Sequence, residues 1–283
     1  MAPYSLPKYA IASLLVSVGG FANGYDTGSI GAMLAMPQFE TSIGTLSSFL
    51  LGFTVSIIML AGVIPSLVSG HIADSFGRLR IISLGAALFG VGALLQGTAF
   101  HLPHFMVGRA LAGVGQGIYL GNMSVYICEI SPARIRGILA GLPQFLITAG
   151  VCVGYFTCYG SVSIQTSIAW RLPLILQSFI ALGIVLSCVN LPESPRWLML
   201  HGRHAAALQS LQRLQFPMTE AERDFMVLEN QPGPSGRKSF SLLFSKAYRT
   251  RTMLGLFTLG MVQFSGIDGI LYVNRYTWSR RTG

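Results

Sequence analysis

Seven apolar stretches dominate the sequence and restrict what the chain can fold into. A helix of about 20 apolar residues spans the hydrocarbon core of a bilayer. Only 10% of the 283 residues are charged, against roughly 25% in soluble domains. The chain is therefore predicted to be an all-α polytopic membrane protein. The seven predicted spans cover residues 9–31, 45–69, 81–101, 104–127, 138–160, 170–191 and 252–273.

The first stretch could be mistaken for a secretory signal peptide, because Lys8 precedes it. Its length, the acidic Asp26 within it and the lack of a small-residue cleavage pattern before a soluble domain argue against that interpretation. All four cysteines lie in or beside apolar stretches, where they behave as small hydrophobic residues. We therefore predict neither a disulfide framework nor a metal site.

Basic residues mark one side of the predicted membrane. Lys8 precedes the first span, Arg78 and Arg80 follow the second, and Arg134 and Arg136 follow the fourth. The long connection after the sixth span is also rich in arginine. By the positive-inside rule these segments are cytoplasmic, so the N-terminus is predicted to be cytoplasmic. Orientation explains the net charge of +9 better than a nucleic-acid partner does.

The connection after the sixth span is predicted to form short amphipathic helices at the cytoplasmic surface. Ser194 and Pro195 are suited to cap and begin a helix, and the next apolar residues come at helical spacing. Breaks are expected near Gly202 and Pro217, and Thr219 begins a second capping box. The predicted parts are the six-helix bundle 1–191, the linker helices 192–250, and the seventh helix with an atypical tail, 251–283.

Asp26 and Arg109 are the candidate functional charges inside the spans. A carboxylate at membrane depth is costly unless it is paired, protonated or hydrated, and such groups mark ion or proton pathways. The glycines that repeat around Asp26, at 20, 24 and 28, are interpreted as helix-packing residues. Arg109 either extends to the lipid headgroups without a functional role or needs a partner.

Three charged motifs occupy connections on the predicted cytoplasmic side, at 70–80, 129–137 and 192–198. Their arginines satisfy the positive-inside rule, so an orientation signal alone is one explanation. The other is a set of ion pairs that break when two helical bundles rock apart. Exposed ion pairs stabilise by only about 0–1 kcal/mol, which favours gating over rigidity. The candidate gating residues are Asp74, Arg78, Glu129, Arg136, Glu193 and Arg196.

These motifs, in this order, resemble those of the sugar porter family of the major facilitator superfamily, up to about Tyr272. Gly-Tyr-Asp-Thr-Gly at 24–28 is similar to the first-helix motif of fungal-type sugar/proton symporters, whose aspartate binds the proton. The resemblance pairs Arg109 with Asp26, which would hold the carboxylate ionised until a proton and substrate alter the pair. It implies the six-helix N-terminal half of the major facilitator fold, with cytoplasmic linker helices and a partial seventh helix.

The resemblance also implies polar substrate contacts that face a central cavity. Gln144 matches the family's fifth-helix sugar contact, although a glutamine there could equally bridge two helices. Gln263 and Asp268 lie in a segment similar to the seventh-helix sugar motif. Val262 stands in place of a glutamine, and Asp268 in place of an asparagine. Both departures argue against ordinary hexose recognition.

Residues 274–283 do not resemble the segment after the seventh-helix motif in the family, which has twelve spans and a substrate site between two halves. Arg275, Arg280 and Arg281 would lie on the outer side, against the charge bias of the other connections. We expect the C-terminal bundle to be missing through a divergent reading frame, a missed intron or a true truncation. A full-length transcript would distinguish these.

The predicted function is transport of a monosaccharide or related polyol by proton-coupled symport, at the plasma membrane. The expected partners are a small-molecule sugar and the lipid bilayer, with the proton as coupling ion and no other cofactor. A non-transporting sugar sensor or an inactive truncated relative is the alternative. A seven-span receptor would need an outer N-terminus, contrary to the charge bias. No metal cluster, nucleotide loop or nucleophile–base arrangement in the sequence indicates an enzyme.

Overall fold

A computed structural model of the protein describes residues 7–217, 245 and 248–264. Within these ranges the chain forms ten α-helices and no β-strand. They are α1 Lys8–Leu34, α2 Pro37–Ile43, α3 Ser48–Phe76, α4 Arg78–Gly97, α5 Leu102–Ile130, α6 Arg136–Ser161, α7 Ile168–Asn190, α8 Pro195–Leu200, α9 His204–Leu214 and α10 Arg249–Phe264.

Six of the long helices coincide with the first six predicted spans, which confirms the all-α fold class and the six-helix bundle. Both ends of α3 are set by residues at the boundary. The Ser47 side chain accepts a hydrogen bond from the backbone N–H of Leu50 at its start, and Gly77, with φ +105°, ends it. The short helix α2, which begins with Pro37 at its first position, was not predicted. Part of the seventh predicted span lies beyond α10 and outside the described residues.

Four of the described helices, α3, α4, α6 and α7, are long and apolar enough to cross a membrane. Helices α1 and α5, of 27 and 29 residues, are also long enough, but they contain glycines, polar residues and the charged Asp26 and Arg109. Both lie inside the bundle, where α1 packs against α6 and α7, and α5 packs against α3 and α4. Protein neighbours, rather than lipid, therefore surround their polar groups.

Glycines set the close approach of α1 to α6. A Cβ atom added to one of them would overlap a backbone carbonyl oxygen of the other helix. Gly20, Gly24 and Gly28 meet the carbonyl oxygens of Pro143, Ile147 and Val151 respectively. The packing interpretation of these glycines is confirmed.

Gly24→Ala is expected to lower the melting midpoint of the purified protein in detergent, because the added methyl group forces α1 and α6 apart. Overpacking of this kind costs about 1–3 kcal/mol. Gly52→Ala in α3 is the matched control, since its Cβ would meet no atom within 4 Å and alanine favours a helix. Equal midpoints for the two variants would contradict the packing role of Gly24.

The linker after α7 begins as the sequence predicts. The Ser194 hydroxyl accepts a hydrogen bond from the backbone N–H of Trp197 at 3.3 Å, and Pro195 is the first residue of α8. Gly202, with φ +70°, separates α8 from α9, and α9 ends before Pro217. The capping box predicted from Thr219 lies outside the described residues.

The outer faces of the bundle are strongly apolar. In α3, Phe49, Ile64 and Leu67 are each more than 70% exposed, and α6 and α7 also expose large aliphatic and aromatic side chains. Continuous apolar surface of this extent is suited to contact lipid or another helical bundle rather than water. The chain is a multi-pass membrane protein.

Candidate functional site

Asp26 and Arg109 form a buried ion pair between α1 and α5. One terminal nitrogen of Arg109, Nη1, lies 2.8 Å from Oδ1 and 2.9 Å from Oδ2 of Asp26. The exposed fraction is 4% for Asp26 and 0% for Arg109. Arg109 therefore does not extend to the lipid headgroups, and the pairing implied by the family resemblance is present in the structure.

Two further groups complete the site, and neither was predicted. Gln177 of α7, which is fully buried, donates from Nε2 to Oδ1 of Asp26 at 3.0 Å. The second terminal nitrogen of Arg109, Nη2, donates to the backbone carbonyl of Val55 in α3 at 3.2 Å. Gln177 had a sequence signal, since it is a polar side chain within an apolar span, whereas a backbone carbonyl gives none.

The two charges of the site balance each other. With Asp26 ionised, the carboxylate and the guanidinium neutralise each other in a water-poor interior. Protonation of Asp26 would leave Arg109 as a buried charge without its counterion, which is costly. Four helices, α1, α3, α5 and α7, supply these groups, so a change at Asp26 acts on the packing of all four.

A second polar pair lies along the same two helices. Gln116 of α5 donates from its amide to the side-chain oxygen of Asn23 in α1. Asn23 lies one turn before Asp26, and Gln116 two turns after Arg109, so both are on the helix faces that carry the ion pair. Both residues are only partly buried. Together with the ion pair they form a row of polar side chains between α1 and α5, which extends toward the α8 end of the bundle.

The predicted substrate residues are only partly described. Gln144 is exposed on α6, and its side chain makes no hydrogen bond to a described residue. It therefore does not bridge two helices within the described part of the chain. The neighbouring turn of α6 exposes Thr148 beside it. Gln263 belongs to α10 by its backbone, while its side chain and Asp268 lie outside the described structure.

A charged cluster lies where α3 meets α4, near the ends of α5 and α7. Arg78 contacts two acids through Nη2, Asp74 at 2.6 Å and Glu129 at 3.4 Å. Glu129 also accepts a hydrogen bond from the hydroxyl of Ser194 at 2.6 Å. These contacts bring three of the predicted gating residues together and connect the long helices with α8.

Glu193 joins the same cluster through backbone groups rather than through an arginine. Its carboxylate accepts hydrogen bonds from the N–H groups of Arg78 and Leu79, at 3.1 and 3.2 Å, at the start of α4. A negative charge there also interacts favourably with the helix dipole. Arg136 donates instead to the carbonyl oxygen of Ser131. Arg196 is exposed and forms no ion pair with a described residue.

Glu193→Ala is expected to destabilise the start of α4, because it leaves two partly buried N–H groups without their acceptor. Loss of such partners costs about 1–3 kcal/mol. Hydrogen exchange should accelerate at the amides of Arg78 and Leu79 before the rest of α4. Glu193→Gln, which retains one acceptor oxygen, should show a smaller acceleration. Unchanged exchange in both variants would refute this capping role.

Comparison with known proteins identifies the family. Residues 12–276 match the family described as "Sugar (and other) transporter". The chain belongs to the sugar transporter family. It is 32% identical over 268 residues to the MFS-type transporter criB of Aspergillus cristatus, covering 92% of this chain and 58% of that protein. It is 31% identical to probable polyol transporter 4 of Arabidopsis thaliana, covering 94% of this chain and 51% of that protein.

Solved structures of a sugar transporter share this fold. The proton:xylose symporter XylE, bound to 6-bromo-6-deoxy-D-glucose, matches with a TM-score of 0.71 and 26% identity, over 83% of this chain and 55% of XylE. Its partially occluded inward-open form from E. coli matches with a TM-score of 0.72 and 25% identity, over 93% of this chain and 66% of that chain.

The matches confirm the sugar porter resemblance of the motifs and the major facilitator fold. The named family members and structural neighbours are transporters rather than enzymes. The chain spans 58% of the length of criB and 51% of the length of polyol transporter 4.

Proposed function

We propose that the protein transports a monosaccharide or related polyol across the membrane by proton-coupled symport. The observation that carries this proposal is the buried Asp26–Arg109 pair, joined by Gln177, in a chain of the sugar transporter family. Asp26 is the proton carrier, and Arg109 neutralises the charge of its carboxylate when no proton is bound.

The proposed coupling arises from the cost of separating buried charges. When Asp26 accepts a proton, Arg109 loses its counterion, so the arrangement of α1, α5 and α7 that was stable before protonation becomes unfavourable. An arrangement that gives Arg109 water or substrate oxygens then gains population. Release of the proton reverses this. Alternating access requires two arrangements of the helices. A proton that favours one of them over the other couples this change to the proton gradient.

The proposed substrate contacts are Gln144, Gln263 and Asp268. Amide and carboxylate groups in an otherwise apolar wall bind hydroxyl groups with directional hydrogen bonds. The exposure of Gln144 supports a role toward a cavity. The relatives' names support the substrate class: one is a probable polyol transporter, and another is a high-affinity glucose transporter of Candida albicans.

The proposed gate consists of the cluster of Asp74, Arg78, Glu129 and Glu193, together with Arg136 and Arg196. Its described contacts join α3, α4, α5 and the connection to α8 within the six-helix bundle, rather than two bundles. In the proposed gate, these helices move relative to one another and break the contacts. We also propose a plasma-membrane location with a cytoplasmic N-terminus, based on the basic connections. A tag at Met1 should be accessible only after permeabilisation of intact cells; accessibility without it would reverse the orientation.

Uptake into proteoliposomes tests the function. The 283-residue chain is reconstituted with an inward-directed proton gradient, and accumulation of labelled xylose, glucose and sorbitol is measured with and without a protonophore. Accumulation that the protonophore abolishes supports symport, and uptake that only equilibrates would contradict proton coupling. Saturable binding without any uptake would contradict transport by this chain and favour a sugar sensor.

A further inference from the structure

A groove of about 650 Å³ lies on the outer surface of the bundle, between α4, the end of α7 and α8. It is separate from the Asp26 site. This volume is within the range of about 300–1,000 Å³ that is usual for ligand sites. Its wall is polar at one end and apolar at the other. The lining residues that matter are Arg80, Ser83, Leu84, Ala87, Val189 and Arg203.

The α4 wall forms one continuous stripe. Ser83, Leu84 and Ala87 come three, four and seven residues after Arg80, which places all four on one face of the helix. At 1.5 Å per residue the stripe extends about 10 Å from the end of the bundle toward its middle. It begins with a cation and a hydroxyl group and ends with aliphatic side chains. Leu84 and, on α7, Val189 are 51% and 74% exposed.

The polar end of the groove carries two positive charges that form no ion pair within the described part of the chain. Arg80 and Arg203 are both exposed, and neither forms an ion pair with a residue that the structure describes. The one acid in the wall, Glu193, is already occupied, because its carboxylate accepts hydrogen bonds from the backbone N–H groups of Arg78, Leu79 and Ser194. The groove therefore presents two guanidinium groups that no described residue pairs with.

We propose that this groove binds one anionic phospholipid. The phosphate of the headgroup lies between Arg80 and Arg203, and one acyl chain runs along Leu84 and Ala87. Arginine forms charge-assisted hydrogen bonds with phosphate oxygens, and basic pockets between transmembrane helices at the cytoplasmic side suit anionic headgroups. The order of the wall, cationic at the bundle end and apolar toward its middle, matches a lipid better than a free anion.

Binding of short-chain lipids to the purified full chain in detergent tests the proposal. Dioctanoyl phosphatidylglycerol should bind at one saturable site and at least ten times more tightly than dioctanoyl phosphatidylcholine. Each arginine near an anionic lipid contributes about 1 kcal/mol, so Arg80→Gln/Arg203→Gln should weaken phosphatidylglycerol binding by about 30-fold. Both side chains are exposed, and size-exclusion chromatography verifies that the variant is folded.

Two controls make the outcome decisive. Arg134→Gln removes an exposed arginine of the α5–α6 connection that does not line the groove, and it should leave the affinity unchanged. Glycerol 3-phosphate carries the phosphate without acyl chains, so it should bind far more weakly. Equal affinity for both lipids, equal effects of the groove and control variants, or glycerol 3-phosphate binding as tightly as the lipid would each overturn the proposal.

Discussion

Asp26→Asn is expected to abolish proton-driven accumulation of substrate, reducing the internal-to-external ratio to about one, while exchange of substrate across the membrane continues. Asparagine cannot take up or release a proton at this position, so the cycle loses its coupling step. It does keep an oxygen that can accept a hydrogen bond from Arg109 and Gln177, which limits the structural damage. Counterflow of labelled substrate in proteoliposomes measures the exchange that should persist.

Glu40→Gln is the matched control for Asp26→Asn, because it makes the same acid-to-amide change in α2, outside the pair. It should accumulate substrate as the unmodified protein does. Accumulation by Asp26→Asn at the level of this control would refute the role of Asp26 as the proton carrier. Loss of both accumulation and counterflow would instead indicate that the variant is inactive for structural reasons, and it would leave the coupling step to be sought elsewhere.

The long helices could be predicted because their sequences report their surroundings directly. They are mostly apolar runs, and α3 also begins and ends at local signals, Ser47 and Gly77. Ser194 with Pro195 marks the start of the short helix α8 in the same way. These signals act over a few residues, so no knowledge of the fold is needed to interpret them. The short helix α2 lacks the length that makes such a pattern distinctive.

Contacts between segments that are distant in the chain were harder to predict from the sequence than the helices were. Asp26 and Arg109 were each recognised as unusual charges, but their pairing across 83 residues came from the family resemblance and not from their spacing. Gln177 and the carbonyl of Val55 were missed, because the packing of four helices brings them to the pair. Glu193 was predicted to pair with an arginine, whereas its position beyond α7 brings it to the first N–H groups of α4.

Removal of Arg109 should have a large effect on the stability of the bundle. Arg109→Met keeps much of the side-chain volume but leaves the Asp26 carboxylate buried, with Gln177 as its remaining donor. Breaking one partner of a buried ion pair costs about 3–5 kcal/mol. The melting midpoint in detergent should fall sharply, whereas Arg134→Met, at an exposed position, should change the free energy of unfolding by no more than about 0.5 kcal/mol.

The double variant Asp26→Asn/Arg109→Met separates a loss of charge balance from a loss of packing. If the cost of Arg109→Met comes from an unpaired buried carboxylate, neutralising position 26 should restore most of the stability, because replacing both charges of a buried pair is often nearly neutral. A double variant as unstable as Arg109→Met would show that Arg109 acts through packing and its bond to Val55. The electrostatic basis of the proposed coupling would then fail.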